Sequence, residues 1–170
     1  MKLHIFYWML YGWLIFILMG CGGVAEREDI TGILELTPLS TNSINGDCTN
    51  PSELENWIQT LVFNQAEFTT SLQNANGLSR TQLFRLAQEL NKVAITVAST
   101  PVLSCGEQAY QLTISAMQTA LDDIRAYINA ERQDLDVIIA NAQTQFVEAQ
   151  VQHDLLIVLL EELYQNNTTP

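Results

Sequence analysis

Basic residues are scarce in this chain. Seven Lys and Arg stand against 19 Asp and Glu over 170 residues, a formal net charge of −12. No stretch gathers the bases into a stripe, so nucleic acid phosphates and anionic headgroups would both be repelled, and a nucleic-acid role is excluded. Histidine is nearly absent too, with only His4 and His153 in the chain. No C-x-x-C-H, G-x-S-x-G, H-E-x-x-H, phosphate loop or dinucleotide fingerprint occurs, which removes the common routes to covalent haem, acyl transfer, zinc hydrolysis and nucleotide chemistry. A di-iron bundle needs two Glu-x-x-His motifs. Here the residue three before His153 is Gln150. The expectation is a non-enzymatic chain with no cofactor and no metal site. Global disorder is excluded as well, because apolar residues make up 48% of the chain, enough to bury a core.

The N-terminus carries a pattern of its own. Lys2 precedes an apolar run, Ile5–Met19, which ends in Leu18-Met19-Gly20-Cys21. This resembles the signal peptide and lipobox of bacterial lipoproteins, over residues 1–22 only. The resemblance implies cleavage before Cys21 and lipidation of that cysteine. The protein would then be held in the cell envelope as a membrane-anchored lipoprotein facing the periplasm or the exterior. Gly22 after the cysteine, rather than Asp, would suit the outer membrane of a two-membrane bacterium. The alternative is an uncleaved anchor, but about 17 residues lies at the lower edge of what spans a bilayer. No basic cluster follows to stop transfer. Loss of residues 1–20 would leave Arg27, Arg80, Arg85, Lys92, Arg125 and Arg132 against all 19 acids, a net charge of −13.

Residues 21–47 read as the lipidated N-terminus and a flexible tether. Thr37-Pro38 breaks regular structure and Asn45-Gly46 signals a turn. The alternation Ile33-Leu34-Glu35-Leu36 has strand character, with no second strand-like run to receive it.

Residues 48–165 read as a helical bundle domain. A first helix over 52–74 follows from Leu54, Ile58, Leu61, Gln65, Phe68 and Leu72, with Asn50 or Ser52 as N-cap, Pro51 in the first turn and Asn76-Gly77 as the stop. A second, over 79–99, follows from Leu83, Leu86, Leu90, Val93 and Val97, a Ser79/Gln82 capping box and Pro101 beyond its end. The short link between them requires an antiparallel hairpin. Between Gly106 and Pro170 neither Gly nor Pro occurs. One apolar stripe runs Tyr110, Ile114, Met117, Leu121, Ile124, Ile128, and another runs Leu135, Ile139, Ala142, Phe146, Ala149, His153, Leu156, Leu160, Leu163. Joining them puts Glu131 in the seam, so a turn within 129–134 with Asp134 as N-cap is preferred. The fold class predicted is an all-α, up-down four-helix bundle. The alternative is a helical hairpin plus one long helix. Residues 166–170 read as a disordered tail.

Cys48 lies just before the first helix and Cys105 just after the second. Antiparallel pairing brings those points together, so the two cysteines are expected to form a disulfide clamping the hairpin. His153 falls on the seam of the last helix. It is the one candidate ligand-contacting residue, and a half-buried core histidine is the plainer reading. Trp57, Phe63, Phe84, Tyr110 and Tyr127 read mainly as core, with Phe63 and Phe84 off their stripes and able to form an exposed apolar patch. The function expected is protein–protein contact, as an assembly factor, pilot or adaptor, with an unknown protein partner and the membrane engaged through the N-terminal lipid. The alternative is a small-ligand or metal carrier using the bundle interior.

Overall fold

The computed structural model describes residues 34, 36–130 and 134–168, with side chains to Asn166. Among these residues four helices form an all-α bundle: α1 (Pro51–Gln73), α2 (Arg80–Ala98), α3 (Glu107–Ile128) and α4 (Leu135–Thr168). Each helix packs on its sequence neighbours, and α4 closes the ring against α1. This is the up-down-up-down order that short connections favour.

Local chemistry sets the boundaries. Asn50 Oδ1 accepts from the N–H groups of Ser52 (3.1 Å) and Glu53 (3.4 Å), with Pro51 as the first helical residue of α1. Gly77 adopts the left-handed conformation, φ 80°, in the turn that follows. Ser79 and Gln82 form a reciprocal capping box at the start of α2. Asp134 Oδ1 accepts from Val137 N at 3.3 Å, capping α4. The last two helices are therefore separate rather than one long rod. The chain turns after Ile128 through Ala130, a non-glycine residue at φ 61°, a conformation that crowds its Cβ against the next carbonyl.

The predicted stripes of α1, α3 and α4 are the ones that face inward: Leu54, Leu61, Phe68, Tyr110, Met117, Leu121, Ile124, Phe146 and Ala149 are all buried. In α2 the buried face is rotated toward Ala87 and Ala94, with Leu86 and Val93 only partly buried. Alanine lets the helix axes approach, and the larger side chains then lie at the edge of the contact.

Two expectations about the ends need correction. The tether was expected to be flexible as far as residue 47, but its last part lies against the bundle. Leu34 is 1% exposed, and Leu36 and Leu39 pack on the core. Leu39 N donates to Gln118 Oε1 (3.3 Å) and Asn42 N donates to Tyr110 Oη (3.3 Å). A short strand β1 (Ile44–Gly46) then pairs in parallel with β2 (Val102–Leu103). The run that receives a strand is thus the α2–α3 connection, and the apolar residues ahead of Pro38 serve as packing anchors. At the other end, α4 continues to Thr168, past the expected start of a disordered tail. Tyr164 Oη donates to Glu55 Oε2 at 2.6 Å, which holds the last turns of α4 beside the first turn of α1.

The end that carries the strand pair is the most heavily cross-linked part of the bundle. Cys48 and Cys105 are bonded, with Cα atoms 6.0 Å apart. Trp57 Nε1 donates to Pro101 O at 2.6 Å, and Tyr110 Oη donates to Ala98 O at 2.8 Å. Gly106 lies flat against Trp57, where any Cβ would run into the indole.

Candidate functional site

His153 sits where its stripe places it, with none of its surface exposed. Thr113 Oγ1 donates to Ala109 O (2.8 Å) and lies 3.5 Å from His153 Nε2. Nδ1 is buried without a partner. Burial pushes the imidazole pKa below its ordinary value, and the neighbouring Asp154 carboxylate opposes that only in part. A neutral, enclosed histidine belongs to the core packing. One buried polar residue comes from each helix: Gln65, Asn91, Thr113 and His153. Gln65 Nε2 donates to Phe146 O at 3.4 Å. Among the described residues no three His, Cys, Asp or Glu side chains gather as metal ligands would. Cys48 and Cys105 are consumed in the disulfide, and Cys21 lies outside the described residues.

A second apolar feature lies on the opposite side of α4. Val147, Val151, Leu155 and Val158 are 63%, 52%, 59% and 52% exposed. At 100° per residue they form one stripe about half a turn from the buried Phe146, Ala149, His153 and Leu156. Exposed Val137, Ala140 and Thr144 extend the same line toward the start of the helix. From Val137 to Val158 the stripe spans about 32 Å at 1.5 Å per residue. Helix α4 is therefore apolar on two opposite faces, and only one of them is used by the bundle. Among the described residues no comparable stripe occurs elsewhere: α3 exposes no large apolar side chain, α1 exposes Phe63 and α2 exposes Ile95.

Comparison of this chain with protein-family models, with curated proteins and with solved structures finds no match. Valine is a poor helix former, because its branched Cβ loses rotamer freedom against the preceding turn. A helix face that met only water would be better served by Glu, Lys, Gln or Ala. Exposed Val at four positions of α4 is thus unfavourable on two counts, hydration and propensity. The edges of the stripe are acidic. Asp136, Asp154 and Glu161 line one side, Glu148 stands on the other, and Glu162 closes the far end, while residues 135–168 contain no Lys or Arg.

The sequence reading found the inner stripe and missed the outer one. The signal was present: positions 140, 144, 147, 151, 155 and 158 repeat at three- and four-residue steps, out of phase with the core. Phe63 is 69% exposed, whereas Phe84, paired with it as an exposed-patch candidate, is partly buried on the core.

Proposed function

We propose that this chain is a lipid-anchored, exported helical bundle that works by holding another protein, as an assembly factor, pilot or adaptor, and has no catalytic role. The single observation that carries the proposal is the second apolar face of α4, solvent-exposed over Val147–Val158 on an otherwise acidic surface. Contiguous exposed apolar stripes on small domains mark contact surfaces. The resemblance of Leu18–Cys21 to a lipobox supports the envelope location, and the Cys48–Cys105 disulfide suits an oxidising compartment. No helix among the described residues is long and apolar enough to cross a membrane. The carrier alternative would need a path to His153, which has no exposed surface.

Photo-crosslinking tests the proposal in native membranes. A crosslinker replacing Val151 or Leu155 in the full chain is expected to give a discrete adduct with a second polypeptide, and one replacing the exposed Glu89 on α2 is expected to give none. No adduct at any of the three positions would overturn it.

A further inference from the structure

The contact reading leaves the partner's chemistry open, and the edges of the α4 stripe narrow it. Building on that reading, we propose that the outer face of α4 receives an amphipathic helix of another protein, one whose apolar stripe is bordered by Lys or Arg.

The shape of the face argues for a helix. It is a single convex rod with small and medium side chains, Ala140, Thr144, Val147, Val151, Leu155 and Val158, at three- and four-residue steps. Such rows make ridges that fit the grooves of a second helix at an interaxial distance of about 8–10 Å. The apolar row is about one side chain wide, which matches the anchors one helix presents at i, i+3, i+4 and i+7.

Charge decides among occupants. The five carboxylates of α4 are all exposed, and the helix offers no base to offset them. Gln150 Nε2 donates to Asp154 Oδ1 at 2.9 Å, which orients that carboxylate without neutralising it. A second copy would set its own acids against Asp154 and Glu148 along the whole contact. An anionic bilayer would be repelled for the same reason. A helix with basic borders finds an opposite charge on each side of the stripe, and complementary potentials of this kind select partners and speed encounter. Rim charges of this sort act mainly on specificity and rate, so the affinity must come from the valines and Leu155.

The test uses the purified full chain with its disulfide intact and two synthetic helical peptides. Both carry the same Leu and Ala stripe; one is flanked by Lys and the other by Glu. The Lys peptide is expected to bind saturably and at least about tenfold tighter than the Glu peptide, a difference of about 1.4 kcal/mol. Its binding should weaken with added salt. Val151→Gln with Leu155→Gln, which leaves the charge unchanged, should abolish binding while the circular dichroism spectrum stays that of the parent. Glu148→Lys with Asp154→Lys should reverse the preference between peptides. Equal binding of both peptides would overturn the inference, as would Lys-peptide binding that survives the Gln substitutions. So would a dimer in sedimentation that dissolves on those substitutions, because the occupant would then be a second copy. If neither peptide binds but the membrane adduct at Val151 forms, the basic-helix inference falls and the contact reading stands. If both fail, both fall.

Discussion

Helices α3 and α4 pose the same physical problem and meet it differently. Each carries apolar side chains beyond a single inward stripe. Beside α3 lies the chain's own N-terminal segment: Leu34, Leu36 and Leu39 pack on the core, and Gln118 and Tyr110 of α3 bond the segment's backbone. No large apolar side chain of α3 remains exposed. On α4 no described segment does this, and the valine stripe faces solvent. Among the described residues, the longest exposed apolar row is therefore on α4. Contact is to be sought on the helix whose second stripe no described segment covers.

Substitutions at both helices separate the covered face from the uncovered one. Replacing Cys48 and Cys105 together by Ser opens a link of 57 residues' separation. It should lower unfolding free energy by about 4 kcal/mol in the chain-entropy model, read by urea denaturation. A much smaller loss would mean the covered end is held by packing alone. Leu34→Ala removes the deepest contact of the N-terminal segment and should lower stability by about 3 kcal/mol. It should also raise proteolysis between residues 36 and 43. Stability equal to the parent would show that α3 needs no lid. Ala130→Gly relieves the positive φ in the α3–α4 turn and should raise stability by about 1 kcal/mol.

His153 supplies a fourth handle. Its folded pKa lies below its unfolded value of about 6.5. As pH falls through the unfolded value, the unfolded chain takes up a proton that the folded chain refuses, so stability is lost with acidification. The contribution is fully present above about pH 6.5 and declines as pH drops toward the depressed folded value. Thermal unfolding of the parent and of His153→Gln between pH 7.5 and 5 should therefore show the steeper loss in the parent. Parallel curves would mean that the buried ring does not titrate differently on folding.

Much of this architecture could be read from residue order. Caps at Asn50, Ser79 and Asp134, the inward stripes of α1, α3 and α4, and the closeness of Cys48 to Cys105 all follow from local propensity and from helix lengths. Three things did not follow. The lid formed by Leu34, Leu36 and Leu39 is a long-range contact, and a short stretch around a proline carries no periodicity that announces it. The outer stripe of α4 was hidden for the opposite reason. Two superposed apolar periods reduce each other's contrast, and the stronger one, through Phe146 and Leu156, absorbs attention. The buried face of α2 was misjudged by one residue because Ala87 and Ala94 count as weakly apolar in sequence yet sit at the closest approach.

Val151→Gln with Leu155→Gln, measured two ways on the same protein, decides whether the α4 stripe is a contact surface. The unfolding free energy should stay within about 0.5 kcal/mol of the parent, since exposed positions away from core contacts tolerate change and Gln is the better helix former. The membrane adduct from a crosslinker placed at Val147 should be lost at the same time. A large fall in stability would show that these residues are part of the core, and an undiminished adduct would show that the α4 stripe is not the surface that binds.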